Sequence, residues 1–192
     1  VGSEMCIRDS AFAALKTDGS VVTWGDTSKG GDSSPYHETN HPNGIRSGNI
    51  SSGVSAIYST IQAFAALKTD GSVVTWGDDS YGVLGVTGAG GSYGDNVTNV
   101  IDIVSCRYGF CCLRDDGSIV LLGNDTNTLG DQAGSLFSEV KSNLTSGVTN
   151  IYANSFSFAA LKSNGSVFTW GRSIYGGNSS TLYSQSGSEV IS

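Results

Sequence analysis

The sequence of 192 residues has little charge and no long apolar segment. Asp, Glu, Lys and Arg make up 14% of it. No apolar run approaches the roughly 18 residues that would suggest a membrane span. Gly, Ser, Thr and Asn are abundant instead, which favours turns and strands over long surface helices. The sequence therefore predicts no membrane insertion.

Positive charge is scarce as well. Ten basic residues stand against seventeen acidic ones, and the formal net charge is −7. An acidic surface repels phosphate, so nucleic acid is not a predicted partner. Binding to a membrane surface through a basic patch is equally unsupported.

Cysteine is scarce too, and no pair of cysteines has the C-x-x-C spacing. The four residues Cys6, Cys106, Cys111 and Cys112 are few for a fold held by disulfides, and they do not indicate a compartment. Cys111 and Cys112 replace a recurrent Ala-Ala pair, so we expect small buried residues. A disulfide from Cys106 to one of them is the alternative. Neither histidine lies near this segment, which leaves a catalytic Cys–His pair without local support.

Residues 1–10 match nothing later in the chain. Their string Glu4-Met5-Cys6-Ile7-Arg8-Asp9-Ser10 resembles a translated sequencing adapter, a scar found on metagenome-derived reading frames. We therefore predict that residues 1–10 are a non-native or disordered tail outside the fold. Since the chain begins with valine and ends inside a repeat, we expect it to be a fragment of a longer protein.

One phrase of fifteen residues recurs four times, at 11–25, 63–77, 109–123 and 157–171. The first two copies are identical, and the third has diverged most. The matching leucines lie 46 to 52 residues apart, at Leu15, Leu67, Leu113 and Leu161. A period of about 50 residues suits a propeller blade better than the shorter solenoid repeats.

Each copy of the phrase has the pattern of a β-hairpin. The turn dipeptides are Asp18-Gly19, Asp70-Gly71, Asp116-Gly117 and Asn164-Gly165. Asp-Gly and Asn-Gly suit a two-residue type I′ turn between short, β-branched strands. These turns explain the recurrent acids without a catalytic role.

The predicted two-residue turn fixes a register that can be tested. In the second copy it pairs Leu67 with Val74 and Ala65 with Trp76, all on one face. In the third copy Cys111 replaces the alanine and Leu122 replaces the tryptophan. One side chain of the predicted pair is larger in the third copy and the other is smaller, as close packing requires.

The recurrent residues are therefore predicted to be structural. Trp24, Trp76 and Trp170 are expected to pack between sheets; a row of ligand-stacking aromatics is the alternative. The basic residues Lys16, Lys68, Arg114 and Lys162 are expected at an exposed sheet edge, with a ring of positive charge as the alternative. The full structural set is Leu15, Gly19, Trp24, Leu67, Gly71, Trp76, Cys111, Leu113, Gly117, Leu122, Leu161, Gly165 and Trp170.

The phrase ending in Trp76-Gly77, followed by Tyr81-Gly82-Val83-Leu84-Gly85, resembles the repeat of RCC1-like (regulator of chromosome condensation) propellers. The resemblance covers about 11–185. It implies an all-β fold with four-stranded antiparallel blades. We expect one domain over 11–192 that holds roughly four blades of a seven-bladed propeller. Three strands are predicted at about 56–60, 63–69 and 72–77 in the second copy, and a variable segment such as 135–140 is expected to supply the fourth.

Two other segments suggest sites that their context does not support. His37 and His41 have a zinc-like spacing, but Pro35 and Pro42 bracket them, so a solvated loop is predicted and a metal site is the alternative. The glycine cluster at 87–92 lacks the G-x-x-x-x-G-K-[ST] pattern of a phosphate-binding loop. No catalytic, cofactor or metal site is predicted.

The leading functional hypothesis is a noncatalytic repeat scaffold for protein–protein interaction. Recognition is assigned to the variable segments 27–52, 78–99 and 124–147, since loops on a rigid framework usually carry it. Proteins resembling this family mainly bind other proteins; a GTPase-exchange role is not carried over, because no matching residue is identifiable. A propeller hydrolase is a weaker alternative. The other alternative, carbohydrate binding, rests on the loop tyrosines Tyr36, Tyr81, Tyr93, Tyr175 and Tyr183.

Overall fold

The computed structural model describes residues 5–7, 10–34, 49–78, 81, 97–123 and 142–177, with the backbone alone for Met5–Ile7. The described residues form four three-stranded antiparallel sheets, each with its strands in chain order. No helix in this part of the chain has the length and apolar character needed to cross a membrane.

The four sheets follow the four sequence repeats. Sheet 1 contains β1 (Met5–Ile7), β2 (Ala11–Leu15) and β3 (Val21–Gly25). Sheet 2 contains β4 (Val54–Ser59), β5 (Ala63–Lys68) and β6 (Val73–Gly77). Sheet 3 contains β7 (Val100–Ser105), β8 (Gly109–Arg114) and β9 (Ile119–Gly123). Sheet 4 contains β10 (Val148–Ala153), β11 (Ser157–Lys162) and β12 (Val167–Gly171). Short 3-10 helices follow β3 at Thr27–Lys29 and β12 at Ser173–Tyr175.

The hairpin in each phrase is present, but the predicted type I′ turn is wrong. In sheet 2, Lys68 N donates to Ser72 O at 2.9 Å and Gly71 N donates to Lys68 O at 3.0 Å. These bonds close a three-residue loop whose last member, Gly71, has a φ of +78°. Asp70 is not in the left-handed region. A type I turn followed by a left-handed glycine requires positive φ once, and Gly71 meets that requirement alone.

The longer loop shifts the predicted register by one residue. Leu67 pairs with Val73, and Trp76 pairs with Phe64 rather than with Ala65. A shift of one residue moves side chains to the opposite face of a strand. Cys111 therefore faces Leu121, whereas Leu122 pairs with Phe110. The size compensation predicted between Cys111 and Leu122 is wrong, because the two side chains lie on opposite faces of sheet 3.

Each inner sheet buries both faces, one against the preceding sheet and one against the next. In sheet 2, Phe64, Ala66, Val74 and Trp76 pack with Ala11, Ala13 and Val21 of sheet 1. The opposite face, with Ala63, Ala65, Leu67 and Val73, packs against Phe110, Cys112 and Leu122 of sheet 3. Cys111, Leu113 and Leu121 then pack against Phe158, Ala160, Phe168 and Trp170 of sheet 4. The core is thus a series of apolar layers between consecutive sheets.

The hairpin turns also connect neighbouring sheets through their backbones. Val54 N donates to Gly19 O, Val100 N to Gly71 O and Val148 N to Gly117 O, at 2.9 to 3.0 Å. A Cβ on Gly117 would lie 2.7 Å from Gly147 N. Glycine is required at this turn because of its positive φ and because the next repeat approaches its backbone.

The segment before each of sheets 2, 3 and 4 forms one backbone hydrogen bond with the preceding sheet. Val21 N donates to Ile50 O, Val73 N to Val97 O and Ile119 N to Leu144 O. The segment 135–140, expected to supply a fourth strand, lies outside the described residues.

Sheet 1 differs from the expectation for residues 1–10. Met5–Ile7 forms β1, which pairs antiparallel with β2, as β4 pairs with β5 in sheet 2. These three residues are therefore part of the sheet rather than outside the fold. The suggested non-native origin of residues 1–10 stays a prediction.

Candidate functional site

Several candidates from the sequence fall outside the described residues. These are His37 and His41, the glycine cluster at 87–92, and the loop tyrosines Tyr36, Tyr93 and Tyr183. Within the described ranges, no three His, Cys, Asp or Glu residues lie close enough together to hold a metal ion.

The three described cysteines are buried free thiols. Burial raises the pKa of Cys106, raises that of Cys111 well above its ordinary value, and raises that of Cys112 to about 12. A nucleophilic cysteine needs its thiolate form, which burial in apolar surroundings opposes. Cys106 instead accepts a backbone hydrogen bond from Tyr108 N at 3.4 Å.

The recurrent turn acids are engaged in their own loops. Asp70 Oδ1 accepts hydrogen bonds from Ser72 N at 2.9 Å and from Ser72 Oγ at 2.6 Å. The hydrogen bond from the Ser72 side chain is the largest cause of the lowered pKa of Asp70, and the bond from the Ser72 backbone is the second. Ser20 donates the same pair of bonds to Asp18, and Ser118 N donates to Asp116 Oδ1 at 2.8 Å; the bonds from Ser20 and from Ser118 lower the pKa of these two carboxyls. These carboxylates are ionised acceptors that close a turn.

Three of the recurrent basic residues bind the connecting segments rather than forming a ring of charge. Lys68 Nζ donates to Asn49 O at 3.4 Å, and Lys162 Nζ donates to Asn143 O at 2.7 Å. Arg114 Nε donates to Thr98 O at 3.2 Å. Lys16 instead lies 3.6 Å from Asp18 in an exposed ion pair.

Aromatic rings and two arginines form a continuous surface cluster across sheets 2, 3 and 4. Centroids are 5.6 Å apart between Tyr81 and Tyr108, 6.0 Å between Tyr108 and Phe156, and 4.4 Å between Phe156 and Tyr175. We call these four rings, together with Arg107 and Arg172, the aromatic–arginine ladder.

Both arginines of the ladder lie over the same two rings. Arg107 Cζ is 5.7 Å from the centroid of Tyr108 and 5.9 Å from that of Phe156. Arg172 Cζ is 5.5 Å and 5.3 Å from the same centroids. At such distances a guanidinium is attracted to the ring face by about 0.5–2 kcal/mol. The ladder therefore places two positive charges on one small aromatic surface.

Short turns between the first and second strands of each sheet position the ladder. Ile61 N donates to Arg107 O at 3.4 Å, and Arg107 N donates to Ser155 O at 3.0 Å, which connects the turns of three sheets. Tyr175 is fixed through its carbonyl, which accepts from Ser157 Oγ at 2.6 Å and from Asn154 Nδ2 at 2.9 Å. The ladder is thus held by the rigid sheets and their tight turns.

The ladder arginines have no carboxylate partner within the described chain. The ion pair recorded there joins Lys16 and Asp18. Among the described residues, Arg107 and Arg172 therefore have guanidinium donors left for an anionic group.

Neither a protein-family model nor a curated protein sequence matches this chain. Solved structures do. Prp20p of Saccharomyces cerevisiae, characterised for its binding to Gsp1p and histones, matches with a TM-score of 0.51 at 18% identity, over 88% of this chain and 44% of its own. Yeast RCC1 (Prp20) with bound Kap60 matches with a TM-score of 0.51 at 17% identity, over 88% and 43%. Human WBSCR16 matches with a TM-score of 0.50 at 17% identity, over 87% and 46%.

The chain has a β-propeller fold. This confirms the predicted all-β propeller architecture. At identities under about a fifth, the likeness extends to the fold and not to the activity. The chain spans less than half the length of each of these propellers.

Sequence reasoning missed most of the ladder of this propeller. Tyr81 and Tyr175 are among the loop tyrosines considered for carbohydrate binding, but Arg107, Tyr108, Phe156 and Arg172 are not among the predicted candidates. A signal was present, since Tyr108 and Phe156 each stand just before the repeated phrase. The first two repeats place Ser10 and Gln62 there, so the framework does not explain the aromatic residues.

Proposed function

We propose that this chain is part of an RCC1-like propeller that acts as a noncatalytic scaffold for binding other proteins. The observation that carries the proposal is the aromatic–arginine ladder, a solvent-accessible surface built across three repeats. Tyr and Arg are enriched in protein interfaces and supply a large share of their binding energy. The yeast propeller of the same fold has been studied in complex with Kap60 and for its binding to Gsp1p and histones, which supports a protein partner.

The proposed partner contacts the ladder with an acidic or amide-bearing segment. Arg107 and Arg172 present planar donors that match a carboxylate in two-point geometry. Tyr175, which is 44% exposed, adds a ring against which an apolar side chain packs. The variable segments 27–52, 78–99 and 124–147 stand between the repeated phrases in the sequence, and Tyr81 belongs to one of them. We assign them a supporting role in partner choice.

Carbohydrate binding is the second candidate, and the 44% exposure of the Tyr175 ring favours it. Exposed ring faces accept the apolar face of a sugar without needing charge. The two candidates differ in their dependence on salt, because exposed ion pairs are screened and ring contacts are not. The discriminating residues are therefore Arg107 and Arg172.

Binding of the purified chain to a protein array and to a glycan array tests the proposal. We expect protein ligands whose affinity falls at least ~10-fold in the Arg107→Ala/Arg172→Ala variant and with rising salt. Tyr152→Ala is the matched control, since Tyr152 is an exposed tyrosine outside the ladder. Glycan binding that is insensitive to salt would favour the second candidate. Protein binding that is unchanged by the double substitution would remove the ladder from the proposal.

A further inference from the structure

One sequence triplet recurs at a single structural position in the segments that connect the sheets. An Asn, any residue other than proline, and a Ser or Thr together form the acceptor triplet for N-linked glycans. Of the six such triplets in the sequence, three stand at 49–51, 96–98 and 143–145. In each of these, the middle residue (Ile50, Val97 or Leu144) accepts a backbone hydrogen bond from the first residue of the third strand in the preceding sheet. The three triplets are thus structurally equivalent, with Asn96 itself outside the described residues.

The fold explains the middle residue of the triplet. Ile50 is 6% exposed and Leu144 is 3% exposed, and each belongs to an apolar layer between two sheets. Lys68 and Lys162 bind the backbone carbonyl of the triplet Asn, which every residue type has. These contacts require an apolar residue in the middle and place no requirement on the side chains before and after it.

The side chain that ends the triplet makes different contacts in the two described copies. Ser51 Oγ donates to Asn49 Oδ1 at 2.8 Å. Thr145 Oγ1 donates instead to Ser142 O at 3.2 Å. The hydroxyl recurs although its hydrogen-bond acceptor differs, so no single turn contact requires it. Recognition of the triplet by a modifying enzyme requires both the Asn and the hydroxyl.

The triplet side chains lie at the surface of the sheets. Asn49, Ser51 and Thr145 are exposed, and Asn143 is half-buried. A glycan on either Asn therefore has a path into solvent, while the middle residue stays in the core.

Both described triplets lie at the end of the sheets that carries the hairpin turns. Thr69 N donates to Gly53 O at 2.8 Å, and Ser163 N donates to Gly147 O at 2.9 Å. The aromatic–arginine ladder lies at the turns between the first and second strands, which is the opposite end of the antiparallel strands. Strands of six residues separate the two ends by roughly 17–20 Å.

We propose that Asn49 and Asn143 are acceptor sites for covalent N-linked glycans. Nδ2 of the Asn forms a bond to C1 of the transferred sugar, and the bond from C1 to the phosphate oxygen of a lipid-linked glycosyl pyrophosphate donor breaks. The pyrophosphate leaves with the bonding electron pair, and the amide proton passes to a base of the transferase. This modification is separate from noncovalent carbohydrate binding at Tyr175 and does not depend on the ladder.

Passage of the full 192-residue chain through the secretory pathway of a eukaryotic cell tests the proposal. A cleavable signal peptide directs the chain there. Enzymatic release of N-linked glycans in heavy-oxygen water converts each glycosylated Asn to a labelled Asp, which peptide mass spectrometry locates. We expect the label at Asn49 and at Asn143, in chain recovered from the medium and from the cell.

The hydroxyl residues provide matched variants for each site. We expect Ser51→Ala to abolish the label at Asn49 alone, and Thr145→Ala to abolish it at Asn143 alone. Ser51→Thr and Thr145→Ser keep the triplet, so both labels should be retained in these controls. A label that survives both alanine substitutions would overturn the proposal, since the triplet would not be what is recognised.

Unmodified chain from bacteria separates the proposed modification from a structural role of the same residues. We expect Asn49→Gln/Asn143→Gln to leave the urea midpoint of this chain unchanged, whereas Leu144→Ala, which removes a buried side chain, should lower it. A fall in the double variant as large as that of Leu144→Ala would assign the asparagines to the fold instead.

Absence of the label in wild-type chain from the secretory pathway would overturn the assignment at whichever Asn stays unlabelled. None of these measurements involves a binding partner. Their outcome is therefore distinguishable from success or failure of the proposed function, which depends on Arg107 and Arg172.

Discussion

Trp24 and Trp76 belong to identical phrases of fifteen residues and yet occupy different environments. Trp76 is fully buried and hydrogen-bonded to Gly30 O, whereas Trp24 is 44% exposed. Trp76 and Trp170 lie in apolar layers between described sheets, and the packing role of Trp24 stays a prediction. Local sequence sets the strand and the side-chain direction, but burial depends on whether another sheet lies above.

Trp170 shows the same dependence at a different contact. It is 2% exposed and packs between sheets 3 and 4, yet its Nε1 has no hydrogen-bond partner among the described residues.

The turn glycines offer a paired test at the residue scale. Gly117→Ala places a Cβ 2.7 Å from Gly147 N, at φ +74°, whereas Gly165→Ala at φ +84° meets nothing within 4 Å. We expect Gly165→Ala to lower the free energy of unfolding by about 1–2 kcal/mol, the cost of a left-handed alanine. Gly117→Ala should cost a further ~1–3 kcal/mol, because the next repeat must move.

Urea unfolding of both variants measures the difference. Equal destabilisation would mean that the close approach of Gly147 to the turn contributes nothing to stability.

At the scale of elements, the strands and the turn of each hairpin can be predicted from sequence, whereas the register of the two strands cannot. Alternation of apolar residues around Asp-Gly correctly predicts two strands and a tight turn in each phrase. The same dipeptide fits a two-residue turn and a three-residue loop, so the register is undetermined by one residue. The hydrogen bond from Val100 N of the next repeat to Gly71 O fits the three-residue loop. This contact cannot be predicted from the sequence of the hairpin alone.

The serine bonds to Asp18, Asp70 and Asp116 predict a dependence of stability on pH. The pKa of each carboxyl is lowered from 3.8 in the folded chain, so protons bind the unfolded chain more readily. The stabilisation is complete above about pH 3.8 and is lost as the pH falls through the lowered values. The urea midpoint should therefore decline in that window.

Asn164 provides the control for this pH dependence, because its Oδ1 accepts from Ser166 N at 3.1 Å without a titrating group. We expect the Asp18→Asn/Asp70→Asn/Asp116→Asn variant to lose less stability than the wild type between neutral pH and about pH 3. An identical decline in both proteins would contradict the assignment to these turns.

At the scale of the whole molecule, the sheets form a linear series of apolar layers. Cys111 lies in the layer between sheets 3 and 4, and Cys112 lies in the layer between sheets 2 and 3. In repeat arrays a unit with one packed neighbour opens at a lower free energy than a unit with two, and among the described sheets, sheet 4 packs on sheet 3 alone. Adjacent cysteines therefore report on the opening of different layers.

Thiol labelling of single-cysteine variants tests this order of opening. We expect both thiols to be protected in the folded chain and Cys111 to react faster than Cys112, because detachment of sheet 4 uncovers Cys111 alone. Labelling in concentrated urea supplies the intrinsic rates for normalisation. Faster labelling of Cys112 would show that the layer between sheets 2 and 3 opens first.

Sequence alone determined the repeat, its period and the hairpins, and the period together with the resemblance to RCC1-like repeats implied the all-β propeller architecture. The hairpins follow from local turn chemistry and from alternation along single strands, both of which act within a few residues. Tertiary structure decided the register at Leu67 and Val73, the exposure of Trp24 and the assembly of the ladder from Tyr81, Arg107 and Phe156. Each of these depends on the approach of a neighbouring sheet, which brings together residues that lie about 50 positions apart.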